Sequence, residues 1–199
     1  MPTEDSGEPI PPSPPEEVRA ADPRSDGLIR EFVEHWGMMA RSWGINATMG
    51  ELFALLYISG TEWTAEALCD RLQVSRGNVS MNLRELMAWG VVHKIHRQGE
   101  RREFYRAETD VWTLFRRILS ERKRRELDPT LLVLDRSVHR VQQDPDLAGL
   151  QGRLDALQSF FSLIDGLASR LMTLEIEDVD LIRQLLGIDD EASQMRPRG

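Results

Sequence analysis

Hydrophobic residues along this chain recur mostly at helical spacing, and one central region instead predicts two strands. Apolar positions three and four residues apart indicate amphipathic helices. In the central region, Val91–Arg97 and residues 101–106 flank the turn Gln98–Glu100 and predict a β-hairpin. The predicted helices cover residues 28–43, 48–59, 64–72, 75–89, 111–126, 128–143, 147–174 and 178–186.

Residues typical of N-caps precede several of these helices. Thr48, followed by Glu51 three residues later, has the pattern of a capping box. The other candidate caps are Asp26, Thr64, Ser75 and Asp110, since their side-chain oxygens can accept an unpaired backbone N–H of the first turn. The short helix after Thr64, the brief turn and the helix after Ser75 form the pattern of a helix-turn-helix.

The helix after Ser75 has two faces. Val79, Leu83 and Leu86 form an apolar stripe, and short polar groups and arginines lie off it, next to Gly77. Such groups suit base edges and phosphates, although alone they would also suit a solvated helix surface. The short helix before this helix and the hairpin after it favour DNA contact. The candidate DNA-binding residues here are Ser75, Arg76, Asn78, Ser80, Met81, Asn82 and Arg84.

The hairpin that follows carries arginines near its tip, so we predict that it is a DNA-binding wing. Arg97, Arg101 and Arg102 are its candidate contacts, with Arg106 on the return strand. Guanidinium groups bind phosphates and enter narrow minor grooves. The alternative is a hairpin kept soluble by its charge. A second basic run, residues 122–125, could contact phosphates or simply complement a helix C-terminus.

The C-terminal third predicts a helical dimerisation region. Asp128-Pro129 is expected to break the chain, and Asp144-Pro145-Asp146 to start the next helix. That helix has apolar residues alternately three and four apart, as in a coiled coil. Packing within one chain is the alternative to a shared interface. The predicted dimerisation residues are Leu150, Leu154, Leu157, Phe161, Ile164 and Leu171.

Charge is distributed unevenly in a chain whose net charge is −8. Residues 75–106 carry seven basic and three acidic side chains, whereas residues 1–27 carry two basic and seven acidic ones. A basic centre between acidic ends would orient the molecule on a polyanion. The proline-rich segment 1–24 is predicted to be disordered, and residues 188–199 to be flexible. Residues 25–126 and 127–187 are the predicted DNA-binding and dimerisation units.

No catalytic or metal-binding constellation stands out, so we expect neither an enzyme nor a cofactor. The four histidines are scattered, and Cys69 lies on an apolar stripe, where an inert buried thiol is favoured over a redox sensor. One cysteine, no signal peptide and no membrane span predict a cytoplasmic protein. Five tryptophans and two tyrosines either fill the core or line a small-molecule effector pocket, where aromatic faces could hold a quaternary ammonium.

By these motifs the chain resembles MarR-type winged helix-turn-helix transcription regulators, in particular their GbsR-like branch. The resemblance covers about residues 28–126 and rests on the stretches Trp43-Gly44, 66–80, Leu83–Leu86, Trp89–Val92 and 99–105. It implies a homodimer on a palindromic operator of double-stranded DNA, with helix 75–89 in the major groove and wing 97–102 beside it. It also implies that some members respond to small molecules.

The expected fold is therefore mainly α, with a winged helix-turn-helix, a wing of two or three strands and a C-terminal helical dimerisation region. The expected function is a dimeric, sequence-specific DNA-binding regulator that acts as a repressor. The rival is a winged-helix module that uses the same surface to bind another protein. Salt dependence would separate them, because contacts to several phosphates weaken steeply with salt.

Overall fold

Helices surround a small three-stranded sheet in the computed structural model, which describes residues 23–174. The predictions for most of segment 1–24, helix 178–186 and residues 188–199 lie outside the described residues. The elements in chain order are α1 (Pro23–Ser42), α2 (Ala47–Ser59), β1 (Trp63–Thr64), α3 (Ala65–Leu72), α4 (Arg76–Ala88), β2 (Val92–His96), β3 (Glu103–Ala107), α5 (Val111–Arg122), a π-helical turn (Lys123–Leu127), α6 (Asp128–Gln143), a 3-10 helix (Pro145–Leu150) and α7 (Gln151–Thr173).

The sheet contains the predicted hairpin and one further short strand. β2 and β3 pair antiparallel, with Ile95 opposite Phe104, and β1 pairs with the other edge of β3. The strand order β1-β3-β2 confirms the winged helix-turn-helix fold class. Because β1 directly precedes α3, the sheet ties the wing to the start of the helix pair.

The core of the winged region is centred on α2. Leu52, Leu55 and Leu56 are at most 1% exposed, and they belong to the same buried cluster as Leu68 of α3 and Val79 of α4. α2 is buried over most of its surface, so its sequence is apolar nearly all round. The surrounding helices are amphipathic and cover it, which holds α3 and α4 in fixed positions.

Three of the five predicted caps are confirmed. The prediction for Asp26 is wrong, because α1 already begins at Pro23 and Asp26 lies inside its first turn. Thr64, Ser75 and Asp110 accept backbone N–H groups of their own first turns, from Ala67, Asn78 and Thr113 respectively. The prediction for Thr48 is wrong. Asn46 is the cap, since its Oδ1 accepts the N–H of Thr48 at 2.9 Å and the helix already begins at Ala47.

The predicted break at Asp128-Pro129 is also wrong, because the chain stays helical from Val111 to Gln143. The turn Lys123–Leu127 is π-helical, and the Asp128 N–H bonds to the Lys123 carbonyl five residues back. A widened turn accommodates Pro129, whose missing N–H and bulky ring would interrupt a regular α-helix. α5 and α6 therefore form one continuous rod that leads from the winged region to α7.

Candidate nucleic-acid interface

The two helices of the helix-turn-helix are joined by a tight turn. Gln73 adopts a left-handed conformation (φ 55°) after α3, and Ser75 then caps α4. Val79, Leu83 and Leu86 are buried, as the apolar stripe predicted. Burial of this stripe against α2 and α3 leaves the opposite side of α4 facing outwards.

The outward side of α4 carries most of the predicted contact residues. Ser75, Arg76, Ser80, Met81 and Arg84 are exposed, and Asn78 is half-buried. Met81 is 54% exposed, so it adds an apolar group to this side of the helix. Gly77 has open space where a Cβ would lie, so another surface could approach the first turn closely. Together they form a face of polar, basic and apolar groups.

The placement of Asn82 on this face is wrong, because its side chain is only 2% exposed. Its amide nitrogen donates to the carbonyl oxygen of Asn78 at 2.9 Å and to Asn78 Oδ1 at 2.6 Å. These bonds satisfy a buried polar group that would otherwise be costly. Asn82 thus orients the side chain of Asn78 from the buried side of α4. Because this contact uses the Asn78 amide oxygen, the Asn78 NH₂ group remains as a donor.

The wing places its arginines in the exposed tip of the hairpin. Arg97, Arg101 and Arg102 are all exposed, and Arg106 is exposed on β3. The guanidinium carbon (Cζ) of Arg97 lies 4.4 Å from the centre of the Phe104 ring, so a cation–π contact holds this guanidinium against the wing. α4 and the wing are both anchored on the same core, so the two sets of arginines keep a fixed relative position.

Acidic side chains of the fold pair with several of these arginines. Arg76 contacts Glu66 at 2.9 Å, Arg97 contacts Glu62 at 3.0 Å, and Arg102 lies 4.0 Å from Glu100. Exposed pairs of this kind contribute little to stability. Nothing local in the sequence indicates Glu62, which lies 35 residues before Arg97. These carboxylates are ones that an incoming phosphate would have to replace.

A polar cluster connects the wing to α5. Glu108 lies 3.2 Å from Arg117 and 3.5 Å from His93 of β2. Burial favours a higher pKa for Glu108. The N–H groups of Asp110 and Thr109, His93 and Arg117 outweigh burial, so its pKa lies below the ordinary value. Arg117 also donates to the Gly90 carbonyl oxygen, so α5 is bonded to the chain just before β2 and just after β3.

The basic run at the end of α5 has intramolecular partners for every side chain. Arg122 pairs with Glu126 and Arg124 with Glu121, while Lys123 contacts Asp128 and Asp165. Arg125 contacts Glu85 of α4 at 2.8 Å and lies over the Trp89 ring at 5.2 Å. This arrangement favours a structural role for the run, in which the continuous helix α5–α6 is bonded to α4 and to α7.

The predicted seam of α7 divides between two faces. Leu154 and Phe161 are half-buried on the side that also carries the buried Ala168. Leu157, Ile164 and Leu171 lie exposed on the neighbouring face, with Leu150 exposed before the helix. Three more large apolar residues, Phe160, Leu163 and Leu167, are exposed between 53% and 61%. An apolar face this long is typical of an interface with another chain.

A cavity of about 480 Å³ lies between α1, α2 and α5. Its described lining is almost wholly apolar and includes several aromatic rings and one charged side chain, Arg122, which donates to the Trp43 carbonyl oxygen at 3.0 Å. No carboxylate is among these lining residues. Its aromatic members are Trp36, Trp43, Phe53, Tyr57, Trp89 and Phe115.

Within residues 23–174, no helix is both long and apolar enough to cross a membrane. The same part of the chain holds no group of three or more His, Cys, Asp or Glu side chains suited to a metal ion. Cys69 is half-buried in α3.

Comparison with known sequences agrees with this geometry. Residues 43–103 match the model of the MarR family, a stretch that begins before α2 and ends in the wing. In Bacillus subtilis (strain 168), the HTH-type transcriptional repressor GbsR is 23% identical over 145 residues, which are 67% of this chain and 80% of GbsR. The putative HTH-type transcriptional regulator YvaV is 23% identical over 84 residues, 42% of this chain and about half (48%) of YvaV.

A solved structure, described as a transcriptional regulator, has a similar fold. It aligns with a TM-score of 0.57 and 22% identity over 73% of this chain and 95% of the other. Both relatives are named as transcription regulators of the HTH type. Fold, family model and relatives agree: the chain has a winged helix-turn-helix fold and is similar to MarR-type regulators, with the family match at residues 43–103.

Proposed function

We propose that this protein is a dimeric transcription repressor that binds a palindromic operator in double-stranded DNA. α4 would enter the major groove, and the tip of the wing, residues 97–102, would contact the backbone or the minor groove. Among the predicted contacts we retain Ser75, Arg76, Asn78, Ser80, Met81, Arg84, Arg97, Arg101 and Arg102. Asn82 keeps an indirect role through Asn78.

One observation carries this proposal: the exposed side of α4 combines hydrogen-bonding and apolar side chains with two arginines, and the core holds this helix in place. Arg76 and Arg84 flank Asn78, Ser80 and Met81, which offer hydrogen-bonding groups and an apolar surface. A thymine methyl group suits an apolar contact, and an adenine or guanine edge suits an amide or a guanidinium group. A merely solvated helix has no need of a half-exposed methionine between such groups.

The exposed apolar face of α7 supports the dimer. Two copies packed through Leu157, Ile164 and Leu171 would cover a surface that one chain leaves in solvent. A twofold axis through this face would relate two α4 helices, and a symmetric dimer binds a symmetric operator. A protein partner on the winged surface is the rival function, and a low salt dependence of binding would favour it.

Fluorescence anisotropy with the DNA upstream of the protein's own gene tests the proposal. Arg76→Ala should weaken binding about fivefold to 150-fold, since a bidentate base contact contributes about 1–3 kcal/mol. Arg136→Ala, on the exposed side of α6, removes the same charge elsewhere and should leave binding nearly unchanged. Equal affinity of the Arg76 variant and the wild type would remove α4 from the interface, and no binding at low salt would overturn the function.

The aromatic cavity supports a response to a small-molecule effector. Its lining is apolar with a guanidinium at one side, which favours a neutral or anionic ligand over a quaternary ammonium. An effector bound there would contact α1, α2 and α5 at once, and α5 continues into α6, the first helix of the proposed dimerisation region. A thermal-shift screen should find stabilising ligands among apolar acids, and Arg122→Met should abolish their effect. Stabilisation by choline-like cations alone would contradict this preference.

A further inference from the structure

The described fold begins beside the helix pair. Asp26, in the first turn of α1, accepts hydrogen bonds from Arg30 and from Arg71 of α3, and both contacts lower its pKa. Arg71 precedes Ser75 by only four positions. The segment 1–22 therefore joins the fold close to the start of the recognition helix.

This segment is strongly acidic. It carries six carboxylates and a single basic residue, Arg19. Fully extended, its 22 residues reach at most about 75 Å, from about 3.4 Å per residue, which covers both α4 and the wing. The carboxylates are Glu4, Asp5, Glu8, Glu16, Glu17 and Asp22.

The surface within its reach is basic and only partly neutralised. Residues 75–106 have four more basic than acidic side chains. Arg101 and Arg106 are exposed and have no carboxylate partner among residues 23–174. Carboxylates of the fold already pair with Arg76 and Arg97, so the guanidinium groups of this surface bind anionic groups.

From the point of attachment and the charge complementarity we infer that segment 1–22 occupies the basic surface of α4 and the wing and competes there with DNA. This inference rests on the proposed DNA-binding function. The segment acts as a tethered polyanion, whose effective concentration at the surface is high because it is part of the same chain. DNA must displace the segment, so the segment lowers the affinity for DNA. This effect is largest at low salt, where electrostatic attraction contributes most to DNA binding.

DNA-binding titrations on three full-length chains test the competition. In the first variant the six carboxylates of segment 1–22 become amides (Glu4→Gln, Asp5→Asn, Glu8→Gln, Glu16→Gln, Glu17→Gln, Asp22→Asn). In the matched control, six carboxylates near the other end change in the same way (Glu175→Gln, Glu177→Gln, Asp178→Asn, Asp180→Asn, Asp189→Asn, Asp190→Asn). Both variants gain the same net charge, and the third chain is the wild type.

The first variant should bind about threefold to tenfold more tightly than wild type at low salt, as expected for removal of a tethered competitor. The difference should shrink as salt rises, because the screening length falls to about 8 Å at 0.15 M. An equal gain in the control would reduce the effect to net charge and overturn the inference, as would unchanged affinity in the first variant.

Zero-length carbodiimide crosslinking tests the contact without DNA. The chain has only two lysines, Lys94 and Lys123, so Arg101→Lys adds one informative amine without changing the charge. Mass spectrometry should find links between segment 1–22 and position 101 that disappear at high salt. Arg140→Lys, on exposed α6, is the control and should give none.

Absence of links to position 101, or equal links to position 140, would overturn the inference. If neither the wild type nor the first variant bound DNA, the proposed function would fail. The crosslinks would then still decide whether the segment lies on the wing.

Discussion

Asn82 holds Asn78 through two hydrogen bonds to one neighbour, the shorter of them 2.6 Å between Asn82 Nδ2 and Asn78 Oδ1. Because the Asn78 oxygen is used inside the protein, Asn78 presents its NH₂ group outwards. In a major groove, such a donor suits the acceptor atoms of guanine, adenine N7 or thymine O4. A buried residue that cannot reach DNA thus sets which hydrogen-bonding group an exposed one offers.

We expect Asn82→Ala to weaken both the fold and DNA binding. Loss of the buried amide removes two hydrogen bonds and should lower the free energy of unfolding by about 1–3 kcal/mol. Asn78 becomes free to rotate, so operator affinity should fall while affinity for random DNA changes less. Urea denaturation and paired titrations on operator and random duplexes measure both effects. An unchanged preference for the operator would show that Asn78 does not depend on Asn82.

Gly77→Ala should change stability and DNA binding in opposite directions. Position 77 lies in the first turn of α4, with open space where an added methyl group would lie, so alanine should raise the free energy of unfolding by up to about 1 kcal/mol. If DNA approaches this turn closely, the added methyl group should weaken binding severalfold. Thermal denaturation and anisotropy on the same sample provide the comparison. Tighter DNA binding by the alanine variant would exclude a close approach at this turn.

Aspartate substitutions on the two faces of α7 should have different effects. Leu157→Asp with Ile164→Asp alters the exposed face and should give folded monomers, with unchanged helix content and a marked loss of operator affinity. Leu154→Asp with Phe161→Asp alters the side packed within the chain and should unfold the α6–α7 pair. Sedimentation and circular dichroism distinguish these results. A dimer that survives the first pair of changes would move the interface away from this face.

Glu108 should make stability fall in acid. Its pKa is lowered in the folded protein, so it stabilises the fold above its unfolded pKa. This contribution is lost as pH drops through the folded value, which lies below the ordinary 4.5. Glu108→Gln should cost about 1 kcal/mol at neutral pH, and its stability should fall less between pH 5 and about pH 3. The measurement is the free energy of unfolding as a function of pH. If it fell equally in variant and wild type, Glu108 would not be the group whose protonation destabilises the fold in acid.

Local patterns predict the helix-turn-helix and wing well, because caps, apolar stripes and turns are decided within a few residues. The prediction that Asn82 lies on the outward face rested on its polar side chain and neglected its angular position around the helix. At about 100° per residue it lies only about 60° from Val79 around the helix, on the buried side. A polar residue there signals an internal hydrogen bond, and Asn78 four residues earlier is the available partner.

Other differences come from contacts that sequence spacing does not encode. A repeat of three and four residues indicates that α7 is apolar, but it does not say which of two adjacent faces packs on its own chain. Glu62 and Arg97 meet only because β1 joins the sheet beside β3. Pro129 predicts a break because a proline usually ends a helix, and the π-helical turn before it is the exception.

The π-helical turn has a consequence for the proposed dimer. It sets the rotation of the winged region relative to α7, and therefore the relative positions of the two α4 helices and the spacing of the operator half-sites that they would bind. The chain is helical from Val111 to Gln143, so one extra residue at Lys123–Leu127 sets the angle of rotation between the winged region and α7. Deleting a single residue there would turn one about 100° against the other. In a dimer joined through α7, both recognition helices would then leave their grooves together, although no DNA contact had been altered.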